Sequence, residues 1–144
     1  MIRKAQQSDI NAAAVLAAKV FTSATADMLK EEFEVLITDN DAVIFLYYIN
    51  NIPIGFAQCQ LRRDYVEGTQ TSPVGYLEGI FVEKEYRKRG YGKMLVQSCE
   101  KWAKSQGCTE FASDCEWHNT GCLAFHLNLG FHEANRIICF TKQI

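Results

Sequence analysis

The stretch YLEGIFVEKEYRKRGYGK, Tyr76 to Lys93, decides how this chain is read. A strand-like apolar run, Tyr76 to Val82, empties into Arg87-Lys88-Arg89-Gly90-Tyr91-Gly92, and helical spacing begins at once. Backbone N–H groups at a helix start, free of bulky side chains, cradle phosphate oxygens. Three consecutive cations add attraction, and the glycines let the main chain approach a ligand closely. The bland alternative is a charged turn ahead of a helix. A P-loop does not fit, because no Gly-Lys-Ser/Thr ending follows, and the dinucleotide pattern G-x-G-x-x-G is absent. A pyrophosphate held without metal by arginines and amides fits better.

Working outward, Ile2–Ala5 reads as a first strand. Ser8 is placed to cap a helix whose apolar face is Ile10, Ala13, Ala14, Ala17, Val20 and Phe21. A second helix is expected over Thr25–Ile37. Ala42–Ile49 reads as a strand, Asn50-Asn51 as a hairpin turn, and Ile54–Leu61 as its return. After a polar loop, Arg63–Pro73, Gly75–Val82 is the next strand. Met94, Leu95, Cys99, Trp102 and Ala103 give an amphipathic helix ending at Gly107. Thr109–Ser113 is a short strand, Thr120–Leu129 a last helix, and Ile137–Lys142 a closing strand. The order β-α-α-β-β-β-α-β-α-β is that of an α/β (α+β) domain, a mixed central sheet flanked by about four helices, with residues 1–144 forming one domain.

The 144 residues suffice for a substantial core. A net charge of −2 argues against a nucleic-acid partner and makes the basic cluster local, implying two sites of opposite sign. No run is long and apolar enough for a membrane span, and MIRKAQQSDI lacks the apolar core of a secretion signal. A cytoplasmic location with six reduced cysteines is therefore expected. Cys59, Cys99 and Cys139 read as small apolar fillers.

Arg87-x-x-Gly90-x-Gly92 after a strand, Asn119 before the last helix and Leu129-Gly130-Phe131 at its end resemble the GCN5-related N-acetyltransferases, and the element order matches that fold along the chain. The resemblance implies acetyl-CoA as co-substrate, held by Ile80, Phe81, Val82, Arg87, Lys88, Arg89, Gly90, Tyr91, Gly92 and Asn119. A narrower resemblance joins Arg63–Gly68, Ser72-Pro73-Val74, Leu77–Val82 and Ala112-Ser113-Asp114 to the bacterial aminoglycoside 6′-N-acetyltransferases. It implies an aminoglycoside acceptor touched by Tyr65, Glu78 and Asp114. It also places Phe21 at an aromatic position of the acceptor site and Asn135 where a carboxylate is usual, and it implies a homodimer.

The residues themselves carry matching chemistry. Glu78 interrupts an apolar strand, where a carboxylate is expensive unless paired or used. Alternation places it on one face with Tyr76, Ile80 and Val82. It is either an ion-paired carboxylate or the group that attracts an acceptor ammonium and takes its proton. Gly79 beside it permits a bulge. Asp114 reads as a second acceptor carboxylate or as a turn cap. Backbone N–H groups of Ile80–Val82 suit a developing oxyanion. In the resembling family a tyrosine proton donor stands at the position of His126, which is then either a proton donor to sulfur or a packed histidine. A rival constellation is Cys115, His118, Cys122 and His126, at spacings that suit zinc. Asn119 and Thr120 look like helix-start residues and separate its members, so no metal is expected. Two alternatives stay open: acetylation of another amine, such as a polyamine or a protein N-terminus, and a non-catalytic acyl-CoA or zinc sensor.

Overall fold

A computed structural model describes residues 1–144. Its sheet has five strands in the order β1-β2-β3-β4-β5: β1 Ile2–Lys4, β2 Ala42–Ile49, β3 Ile52–Arg62, β4 Val74–Val82 and β5 Phe111–Ser113. The first four pair antiparallel, and β5 runs parallel to β4. Four helices flank it: α1 Ile10–Ala17, α2 Ala26–Leu36, α3 Tyr91–Ser105 and α4 Thr120–Asn128. The expected mixed sheet and helix order are present. Asn50 and Asn51, both at positive φ, form the two-residue turn between β2 and β3.

The two faces of the sheet bury different helices. Ile44, Leu46 and Phe56 pack with Ala13, Ala17, Leu29 and Phe33 of α1 and α2. Val43, Ile54, Cys59 and Leu77 pack with Leu95, Val96 and Cys99 of α3. Each fully buried Leu or Phe there contributes roughly 1.5–3 kcal/mol. The Cys99 thiol is pushed well up by its hydrogen bond to Cys59 and by burial, so Cys99 packs as a neutral thiol.

At the first helix the expected cap is corrected. Gln6, not Ser8, precedes the first turn: Asp9 accepts from Gln6 N–H at 2.9 Å, closing a capping box around the 3-10 turn Gln7–Asp9. Asp9 is 5% exposed and also takes both Arg3 guanidinium nitrogens, at 2.6 and 2.7 Å, and the Tyr48 hydroxyl at 2.8 Å. Burial opposes its charge, but these donors hold the carboxyl below its ordinary range. Burial and the Asp9 charge push the Tyr48 phenol up to about 12.

The closing strand over Ile137–Lys142 does not form. Residues 131–144 carry no regular structure, and Ile138 and Phe140 are 81% and 88% exposed. Strand propensity supplies no neighbour: a ladder needs a second strand, and this segment lies beside none. Cys139, expected as a buried filler, is exposed with it.

Candidate active site

Two breaks in regular β structure build the site. The first is a bulge in β4. Gln58 pairs with Gly79 and Cys59 with Leu77, so Glu78 is the extra residue, as expected of the Glu78-Gly79 pair. The bulge overturns the simple alternation. Glu78 and Tyr76 share one face, but Ile80 and Val82 pack with the α3 cluster on the other. One inserted residue exchanges the faces of everything beyond it.

The second break is the separation of β4 from β5. Pairing ends at Leu77–Ser113, while β3 continues to bond β4 as far as Val82. The outer edge of residues 78–82, which includes Ile80, Phe81 and Val82, is therefore an open strand edge with free backbone groups.

That edge leads into the basic loop. Lys88 and Gly90 lie at φ of 61° and 83°, the left-handed region that glycine enters without strain. Met94 N–H is the first to bond back, to the Gly90 carbonyl. The amides of Tyr91, Gly92 and Lys93 are thus left as the unpaired donors of the α3 N-terminus. Gly92 is needed for close approach, since a Cβ there would lie 3.0 Å from the Phe125 ring. Arg87 is anchored by Nε donating to the Val82 carbonyl at 2.8 Å, with its guanidinium 5.3 Å from the Phe81 ring centroid. Both Nη groups are left for an anion. Arg89 stands over Tyr86. Asn119 caps α4, its side-chain oxygen accepting from Cys122 N–H at 3.1 Å.

On the acidic side, Glu78 receives two parallel hydrogen bonds from Arg62, at 2.8 and 2.6 Å. The same guanidinium stacks 3.4 Å from the Tyr76 ring centroid, and the Tyr76 hydroxyl donates to Asp114. Burial, then the Asp114 bond, push the Tyr76 phenol far up, so it is a donor and never a phenolate at working pH. Glu78 and Asp114 are thus gathered through two residues that the sequence reading passed over as site members, Arg62 and Tyr76. Gln58, Gln60 and Arg62 are polar at every second position of an apolar strand, which was the readable signal.

Phe21 lies across Gly79: a Cβ there would be 2.5 Å from the end of its ring. Phe21, Ala24 and Leu29, with Glu32, Gln58, Gln60 and Glu78, line a pocket of about 240 Å³. Gln58 is 3% exposed, and its Oε1 has no hydrogen-bond partner. Leaving such a group unpaired costs about 1–3 kcal/mol. Tyr65 stands exposed in the 63–73 loop, and Asn135 reaches that loop by donating to Glu67 at 3.3 Å.

His126 is 8% exposed and engaged on both ring nitrogens: Nδ1 is 2.8 Å from the Cys122 carbonyl and Nε2 is 2.8 Å from Ser113 Oγ. Phe125 and Phe131 meet its ring edge-on. Of the rival metal set, Cys115, Cys122 and His126 offer donor atoms within 4.8 Å of one another, while His118 meets Trp117 edge-on at the surface. Burial pushes the Cys122 thiol up to about 11.

Residues 12–131 match the model of the acetyltransferase (GNAT) family. An aminoglycoside N(6′)-acetyltransferase type 1 of Acinetobacter haemolyticus is 36% identical over 143 residues, covering 99% of this chain and 98% of that protein. One from Acinetobacter baumannii is 45% identical over 119 residues, 82% of each. Among solved structures, AAC(6′)-Iy in complex with the bisubstrate analogue CoA-S-monomethyl-acetylneamine superposes with a TM-score of 0.95 at 32% identity, covering all of this chain and 98% of that one. AAC(6′)-Ih from Acinetobacter baumannii gives 0.89 at 40%, with coverage of 100% and 98%.

Proposed function

Since the chain belongs to the GNAT acetyltransferase family, we propose that it transfers the acetyl group of acetyl-CoA to the 6′-amine of aminoglycosides, an activity that confers resistance, with residues 1–144 acting as one domain. The observation that carries this reading is a single strand, β4, with an open edge running into an anion-binding loop and a carboxylate bulged out beside a pocket. The first half suits an elongated pyrophosphate-bearing thioester. The second suits a cationic amino sugar.

The fit to acetyl-CoA rests on two local features. Gly90 has open space where a side chain would stand, and the amides of Tyr91–Lys93 await acceptors at the same helix start. Arg87 Nη groups, Lys88 and Arg89 supply positive charge, and the α3 N-terminus adds its dipole. Asn119, through its free Nδ2, and the 80–82 edge contact the rest of the molecule. The coenzyme supplies an acyl group activated as a thioester.

The remaining chemistry belongs to the chain's own residues. Glu78 attracts the acceptor ammonium and receives its proton, directly or through water, so that the amine nitrogen has a free pair for attack. Arg62 fixes the orientation of that carboxylate. Asp114, Tyr65, Asn135 and Phe21 bound the acceptor around it. Amides of the 80–82 edge stabilise negative charge on the carbonyl oxygen. The departing thiol has an ordinary pKa of about 8.5 and leaves as thiolate without an acid. His126, held on both nitrogens, positions β5 against α4 through Ser113, and proton donation by it is not needed.

Thiol release measured with acetyl-CoA tests the reading. Aminoglycosides with a 6′-amine are expected to turn over, and matched 6′-hydroxyl analogues are not. Faster turnover of spermidine or a peptide N-terminus would transfer the site to another amine. Coenzyme binding without thiol release would make the protein a sensor. The proposed place of this activity is the cytoplasm; no helix is long and apolar enough to cross a membrane.

The tail supports a homodimer. Ile137 and Cys139 alternate with Ile138 and Phe140, giving a strand-like segment apolar on both faces and left uncovered. A second copy supplies the missing neighbour. Light scattering is expected to give twice the chain mass, and Phe140→Asp is expected to shift the protein to monomer. A monomeric wild type at micromolar concentration would remove the dimer.

A further inference from the structure

The pocket beside Glu78 contains a buried oxygen that the transfer chemistry described so far does not use. We propose that Gln58 is an acceptor-binding residue whose side-chain Oε1 takes a hydrogen bond from the amino-sugar ring that carries the reacting amine. This rests on the acetyl-transfer reading of the same site and names the part of the substrate that enters the pocket.

Three observations converge. Gln58 sits at the bulge itself, paired with Gly79 next to Glu78. Its amide is almost wholly buried, with Nε2 donating to Gln60 Oε1 at 3.2 Å and Oε1 unpartnered. The opposite assignment of the amide would leave Nε2 unpaired instead, so one polar atom is orphaned in either case. Buried polar groups are almost always satisfied, so an orphan lining a pocket marks a place reserved for a ligand atom.

The pocket tells which atom. Gln58 shares the pocket with two carboxylates, Glu32 and Glu78, a second amide, Gln60, and the apolar side chains of Phe21, Ala24 and Leu29. Acceptors together with an aromatic suit a cationic sugar ring, its N–H and O–H groups toward the acids and its C–H face toward Phe21. At about 240 Å³ the pocket is smaller than the roughly 300–1,000 Å³ of sites that enclose a whole ligand. It therefore takes one ring and leaves the rest of the molecule to the Tyr65 and Asp114 side.

A structural glutamine and a ligand-binding one respond oppositely to Gln58→Leu. Removing an orphaned polar atom from a buried site leaves stability unchanged or higher. Removing a hydrogen bond to a charged donor raises the KM for the acceptor roughly tenfold or more. The experiment is steady-state thiol release with kanamycin and acetyl-CoA as separately varied substrates, together with thermal melts with and without kanamycin. Expected for Gln58→Leu are a melting temperature at or above wild type, an acetyl-CoA KM within about twofold, a raised acceptor KM and a diminished kanamycin-induced shift. Gln58→Met repeats the probe with an unbranched side chain should the leucine not fold. An acceptor KM equal to wild type in a folded variant overturns the role of Gln58 and leaves the acetyl-transfer reading standing. A wild type that turns over no aminoglycoside overturns that parent reading instead.

Discussion

Replacing Glu78 by Gln is expected to lower kcat about 10²–10⁴-fold at pH 7, the range that loss of a general base costs. The substitution keeps the shape of the side chain and removes its charge, so the bulge, Arg62 and the pocket wall remain. At neutral pH the acceptor is an ammonium ion. For an aliphatic amine with a pKa near 10.4, roughly one part in 10³ carries the free pair needed for attack. In the proposed mechanism the carboxylate raises that supply by drawing the ammonium in and accepting its proton. Raising the pH by two units raises the free amine in solution about a hundredfold, and the deficit of Glu78→Gln should shrink with it. The pH dependence of kcat and kcat/KM for both proteins decides the matter. Parallel profiles with a constant offset would deny Glu78 the proton and leave it an electrostatic anchor held by Arg62. The KM for acetyl-CoA should not move, because the anion loop lies at the other end of the strand.

The largest expected loss of stability comes from Asp9→Asn, at about 2 kcal/mol. Removing one partner of a buried ion pair costs about 3–5 kcal/mol, reduced here because the Arg3 side chain is 38% exposed. Asparagine keeps one acceptor oxygen for Tyr48 or Gln6 but loses the two-pronged grip of Arg3. For a chain of this length the melting temperature should fall by roughly 6–8 °C at pH 7. Acid closes the gap. The folded protein holds the Asp9 proton less tightly than the unfolded chain, so its contribution is complete above the ordinary aspartate value of 3.8. It fades as pH falls through the lower folded-state value. Melts of the two proteins should therefore stay separated above about pH 5 and draw together as the pH falls progressively below 3.8. An equal separation throughout would assign the loss to packing.

What could be read in the chain divides along the range of the forces involved. The basic loop and α3 were legible because their signal is local: Gly90 and Gly92, three cations, and apolar residues at helical spacing all lie within one short segment. The bulge was half legible. Gly79 beside a carboxylate pointed to it, but which residues it turned over depended on the register against β3. The Arg62–Glu78 pair was not legible for the same reason, since the partners lie sixteen positions apart across loop and strand. Ser8 was displaced as a cap because Gln6 and Asp9, tied to Arg3, made a better-satisfied start. The segment Ile137–Lys142 shows the converse. Its composition favours extended structure, but a strand is defined by what lies beside it, and nothing within this chain does.

The bulge at Glu78 also has a bearing on how the protein can change through descent. A β-strand ordinarily couples its residues, because every second side chain answers to the same neighbours. Here the one-residue insertion works like a frameshift in a ribbon: Val74–Glu78 are read in one phase and Gly79–Val82 in the other. On the proposed reading, substitutions at Tyr76 and Glu78 alter what meets the amine, and those at Ile80 to Val82 alter what lies along the thioester. A lineage under pressure from new antibiotics can rewrite the acceptor half while the donor half stays intact. Deleting Gly79 would fuse the phases and bind both substrates to one mutational fate.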